Sequence, residues 1–141
     1  MFSEQDESNA AADVLKQLDG LPLALASACA YVRTIKVGWS AYLVRLKEQQ
    51  ETATLPSLRL SLEAARTRNS AVVVLLQLIQ VLHPDDTPRL VLEDAFAEIQ
   101  PGADADDALA LLANLSIISL RETTVATHRL VQAAMRKLCR V

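Results

Sequence analysis

Few residues in this chain have the means to do chemistry. Its 141 residues include two histidines, His83 and His128, and two cysteines, Cys29 and Cys139. The cysteines are far apart and form no CxxC pair, so neither a metal site nor a disulfide framework is indicated, and both are expected to be buried free thiols. Asp104, Asp106 and Asp107 form a tight acidic cluster. They lack the interleaved carbonyl and glutamate ligands of a calcium loop. Carboxylates at that spacing, just before an apolar helical stretch, instead suit the positive end of a helix. Ser, His and Asp occur without a glycine-framed elbow or a nucleophile–base spacing, so no catalytic residue is assigned and no enzyme activity is expected. His128 lies between the β-prone stretch and the last helix, where a lone histidine is usually a surface or helix-start residue; an imidazole N–H beside a helix start is also a good phosphate donor, so both readings stand. His83 is expected in an exposed turn.

The elements that would position these residues follow from apolar spacing. A first helix is predicted over about 8–18, with Ala11, Val14, Leu15 and Leu18 inward. Asp19-Gly20-Leu21-Pro22 then reads as a tight helix joint, with Gly20 as the C-terminal glycine and Pro22 in the first turn of the next helix. That helix should reach Ile35 with Leu25, Ala28, Cys29 and Val32 on one face, and Gly38 should end it. Ser40 is the expected cap of a third helix running to about Gln49, with Trp39 stapled on Val44. A polar stretch follows. The chain therefore divides into a helical subdomain (1–50), a linker (51–56) and a second domain (57–141).

In the second domain helices are predicted over about 57–66, 70–82, 88–99 and 104–115. Ser70 is the expected cap of the second, and Thr87 with Pro88 should start the third. Residues 117–120 and 125–127 are β-prone and flank a polar turn, which makes one hairpin. A last helix is expected over about 130–140. The fold class is mainly α: a small helical bundle followed by a winged helix with one β-hairpin.

Hydrophobic residues make up 51% of the chain and aromatics only 4%, a composition suited to packed helices. The net charge of −3 argues against a dedicated nucleic-acid binder. So does the helix before the hairpin, which carries three carboxylates and no Lys or Arg. The longest apolar run, Ala71 to Leu82, is too short to span a bilayer, and the first fifteen residues are polar and acidic. A soluble, cytoplasmic protein is expected.

Asp19-Gly20-Leu21-Pro22-Leu23-Ala24-Leu25 resembles the GLPLAL motif of the NB-ARC family of STAND-type nucleotide switches. Further landmarks follow in the family's order: Leu60-Ser61-Leu62-Glu63, then Leu75-Leu76-Gln77-Leu78, then Pro84-Asp85-Asp86-Thr87-Pro88. Ser116 to Leu120 and His128-Arg129-Leu130-Val131-Gln132 resemble its "SLI…HRLVQ" close. Thr127 and Arg129 stand where MHD-type members carry Met and Asp, so the HRLVQ type is the better likeness.

The resemblance implies a regulatory, non-catalytic part of an NB-ARC-like switch. ADP would lie between these helices and a P-loop domain, with Pro22 beside the adenine and His128 on the β-phosphate. The sequence contains no GxxxxGK[ST] and no Walker B strand, so ADP or ATP is expected only together with a P-loop domain, in cis or in trans. A repeat-domain sensor downstream is a further expected partner. Two alternatives of other classes stand beside this reading: a winged-helix DNA-binding regulator, and a nucleotide-independent protein-interaction adaptor.

Overall fold

The computed structural model describes residues 4–19, 21–49, 56–82, 86–127, 129 and 131–133. It is mainly helical, with one small antiparallel sheet. The chain forms two compact units, residues 1–62 and 63–141, and the division falls inside a helix.

The first unit contains α1 (Glu4–Gln17), α2 (Pro22–Ile35) and α3 (Trp39–Gln49), with α3 packed on both α1 and α2. α1 buries Ala10, Val14 and Leu18, a helical stripe, and leaves Leu15 exposed. α2 buries Ala24, Ser27, Ala28 and Tyr31. Its inward face is therefore turned from the expected one: Cys29 is an exposed free thiol, while Leu25 and Val32 are half-buried. The face α2 buries is made of small residues and one tyrosine. Cys139 lies outside the described residues.

The helix ends show why local signals were partly misleading. The left-handed residue after α1 is Asp19 (φ 53°), a role aspartate tolerates; Gly20 lies outside the described residues. α2 ends at Lys36 (φ 61°), whose N–H donates to the Val32 carbonyl, two residues before Gly38. Asn69, not Ser70, caps the helix that follows it, its Oδ1 accepting from the Ala71 N–H at 3.1 Å.

α4 (Pro56–Arg68) begins at Pro56, the only residue of the expected linker that is described. In the second unit, α5 (Ala71–Leu82) packs against α6 (Arg89–Ile99) and α7 (Ala105–Asn114), and α7 leads into the sheet. Leu75, Ile79, Leu92, Phe96, Leu109, Leu112 and Ile117 make a fully buried core. The sheet has three strands, β1 (Thr87–Pro88), β2 (Ile118–Leu120) and β3 (Thr124–Thr127), in the order β1-β3-β2. The expected hairpin is β2–β3, paired Ile118 to Thr127 and Leu120 to Val125. Thr87 and Pro88 do not start α6 as expected. They pair with Val125 and Thr124 as an edge strand, and the Arg89 N–H donates to the Thr123 carbonyl at 2.8 Å. A proline is tolerated there because an edge strand can spare a donor. The order α5-β1-α6-α7-β2-β3 is that of a winged helix.

α7 closes in a Schellman arrangement. The Ile117 N–H donates to the Leu112 carbonyl and the Ser116 N–H to that of Ala113, with Ser116 left-handed at φ 59°. Serine pays a steric cost there that glycine does not. Ser116→Gly is expected to raise stability by about 0.5–1 kcal/mol in urea unfolding. An unchanged or lower midpoint would mean that the Ser116 side chain makes a compensating contact.

Candidate functional site

Pro22 is the first residue of α2. It is exposed, and so is Leu21 before it. Leu21 takes an extended conformation (ψ 119°), and no side chain caps the helix there. The Leu21 N–H donates to the Leu18 carbonyl at 3.1 Å, and the Leu21 carbonyl accepts from the Leu25 N–H at 2.9 Å. These backbone bonds hold the joint, and it turns two apolar side chains outward. Pro22 lies in the first unit. His128 lies outside the described residues, as do His83, Pro84 and Asp85.

Around position 128 the described residues form a connected polar chain. Thr127, the last residue of β3, is buried; Arg129 is exposed; Val131 and Gln132 are buried. The Gln132 Nε2 donates to the Thr127 carbonyl, and the Gln80 Nε2 donates to the Gln132 carbonyl, each at 3.0 Å. Gln132 was legible only as one letter of the HRLVQ segment, and Gln80 only as an interruption of an apolar run. Their pairing spans fifty-two positions, which no local pattern can express.

A second non-local contact holds the first unit. The Glu7 carboxylate, on α1, accepts from the N–H groups of Trp39 (2.6 Å) and Ser40 (3.3 Å), the first two residues of α3. Ser40 is therefore inside the helix and is not its cap. Trp39 packs edge-on against Tyr42, with centroids 6.0 Å apart, while Val44 is exposed, so the expected staple does not form. Residues five apart on a helix point in different directions, whereas residues three apart share a face. Tyr42 in turn meets Tyr31 at 5.1 Å, and the Arg45 Nη1 donates to the Tyr31 hydroxyl at 2.7 Å. Tyr42 is fully buried, and its hydroxyl has no partner among the described residues. Burial pushes its pKa far above the ordinary tyrosine range, with smaller contributions from Tyr31 and Cys29.

The acidic cluster caps α7. Asp104 Oδ1 accepts from the N–H groups of Asp106 (2.9 Å) and Asp107 (3.4 Å). Asp106 also accepts from Arg89 at 3.2 Å, and Arg89 reaches Glu93 at 3.1 Å. The Arg89 pKa is raised by its hydrogen bonds to Glu93 and then Asp106. Among the described residues, no cluster of His, Cys, Asp or Glu could hold a metal ion, and no helix is long and apolar enough to cross a membrane.

No family model, curated protein or solved structure matches this chain. What it can do must therefore be argued from its own residues. These comprise an outward-facing Leu21–Pro22 joint, a part-buried pair of glutamines bonded to each other and to Thr127, and an α7 whose cap and first turn expose Asp104, Asp106 and Asp107 where a DNA-reading helix would expose Lys or Arg.

Proposed function

We propose that this chain is the regulatory, non-catalytic part of an NB-ARC-like nucleotide switch. It would act in the cytoplasm, with a P-loop domain in cis or in trans. The observation that carries the proposal is the GLPLAL-like joint. Its proline opens α2 with Leu21 and Pro22 exposed, while Ala24 and Ala28 behind them are buried. An exposed apolar pair offers a surface that a flat ring such as a purine can cover when a second domain holds it there, since burying both apolar faces is favourable. The winged-helix element order downstream and the HRLVQ-like segment at 128–132 support the same reading. Pro22 would border the adenine, and His128 would donate to the β-phosphate. Exchange of ADP for ATP would alter how the parts dock, and only to the extent that the two nucleotides differ in affinity for the two states.

Calorimetry with ADP, on the chain alone and mixed with an NB-ARC P-loop domain, tests this. Binding is expected only in the mixture. His128→Ala should weaken it about tenfold or more, the loss of one charged hydrogen bond. Domains that associate but take up no ADP would sink the nucleotide role. The protein-interaction reading would then stand, favoured by exposed Val81, Leu90 and Val91 in the second unit. Salt-dependent DNA binding would point to the regulator reading, against which α7's carboxylates weigh.

A further inference from the structure

α6 carries its free charges at the end where a helix least favours them. Leu90, Val91, Asp94, Ala97 and Glu98 are exposed and fall on one side of it at helical spacing, while Leu92 and Phe96 lie buried on the other. Leu90 is 75% exposed and Val91 49%. Both stand in the first turn; Asp94 follows in the next, and Glu98 lies in the last. The first turn holds no acidic residue and the last no basic one. The C-terminal end of a helix is itself partly negative, so Glu98 there, with Asp94 behind it, raises the energy of the free chain. The two carboxylates also repel each other across their four-residue spacing. Neither has an ion pair or side-chain hydrogen bond among the described residues. Arg89, the basic residue of α6, is held by Glu93 and Asp106 instead.

We propose that this outer face of α6 docks a basic amphipathic helix of a partner protein, with its apolar residues on Leu90 and Val91 and its Lys or Arg on Asp94 and Glu98. The charge pattern selects that occupant. Carboxylates on the face repel a polyanion, which turns away nucleic acid and an anionic membrane surface. A wholly apolar segment would cover Asp94 and Glu98 without offering them a partner. A helix laid along α6 presents residues at the same rise and repeat, so one side of it can meet the apolar turn and both carboxylates. The cations it brings would neutralise the negative end of α6, which the chain leaves uncompensated. This docking does not depend on the nucleotide reading.

Two synthetic helical peptides test this by calorimetry on the full chain. Each has leucine on one face; one carries lysine on the other, and its counterpart carries glutamate. The lysine peptide is expected to bind and the glutamate peptide not. Asp94→Lys combined with Glu98→Lys should weaken the lysine peptide by about tenfold or more and should create binding of the glutamate peptide. Leu90→Ser should weaken the lysine peptide by about tenfold with the charge preference kept. The chain is net negative, so lysine-peptide binding that survives these variants unchanged reflects overall charge and overturns the proposal, as does a wild type that binds neither peptide. A dimer in light scattering that Leu90→Ser dissolves would place a second copy on the face and overturn the basic partner. Melting of the free chain gives an independent reading. Asp94→Asn and Glu98→Gln should each raise the melting temperature, by about 1–4 °C at low salt, while weakening the lysine peptide. A lowered melting temperature would show that these carboxylates serve the fold, and would overturn the inference that they await a cation.

Discussion

Glu7→Ala is expected to destabilise the helical unit by about 2 kcal/mol, the cost of stripping a charged acceptor from two helix N-terminal donors. The Trp39 and Ser40 N–H groups have no preceding turn to bond to, and the Glu7 carboxylate meets both from another helix. Its charge also opposes the positive end of the α3 dipole. Gly38 makes this approach possible. A Cβ at that position would lie 2.6 Å from one Glu7 carboxylate oxygen and 2.8 Å from the other. The Gly38 backbone is not left-handed, so an alanine has no conformational objection of its own. Gly38→Ala is therefore expected to act by displacing the carboxylate and to cost less than Glu7→Ala, by up to about 1 kcal/mol, because the alanine also restricts the unfolded chain. In the Glu7→Ala background the same change should be neutral or stabilising, by up to about 1 kcal/mol. Urea unfolding of the two single variants and the double variant measures this cycle. Additive losses would show that Gly38 serves something other than room for Glu7.

The second large effect appears in alkali. Tyr42 is buried, its hydroxyl has no partner among the described residues, and burial raises its pKa well beyond the usual range near 10. The folded state therefore keeps a proton that the unfolded chain releases. Stability from this source is fully present below about pH 10 and is lost as the pH rises above it, by up to about 1.4 kcal/mol per pH unit. At pH 12 the loss would approach about 2.7 kcal/mol, comparable with removing the Glu7 cap. Tyr42→Phe abolishes this pH dependence. At neutral pH it should be near neutral or slightly stabilising, because it deletes a buried hydroxyl that has no partner. The check is the difference in unfolding free energy between wild type and Tyr42→Phe from pH 8 to pH 12. A difference that stays flat across that range would show that Tyr42 ionises as freely folded as unfolded, and that its hydroxyl reaches water.

Much of the fold was legible because it is written at short range. Apolar residues at helical spacing located α2, α3, α5, α6 and α7 nearly to their ends. β-Branched runs around 121–124 located the β2–β3 hairpin, and Asp104 announced the cap of α7. The joint at 19–22 was equally plain, since proline at a helix start has few other uses. The facing of α2 was not legible. Periodicity gives a stripe, but which stripe turns inward depends on the neighbour, and here Ala24, Ala28 and Tyr31 prevailed over Leu25 and Val32. Thr87-Pro88 looks like a helix start from either side, and becomes a strand only because β3 offers it a partner.

By itself, then, the sequence determined the helical class, the approximate extent of most helices, and the GLPLAL-like and HRLVQ-like segments on which the functional proposal stands. These are matters of neighbouring residues, where propensity, capping and turn chemistry act within a few positions. Tertiary structure alone decided the Glu7 cap on α3, the third strand and the Gln80–Gln132 bond. Each satisfies a backbone donor or acceptor with a group far away in sequence. The energy of such a bond depends on burial and distance in space, and neither is encoded in the spacing of letters along the chain.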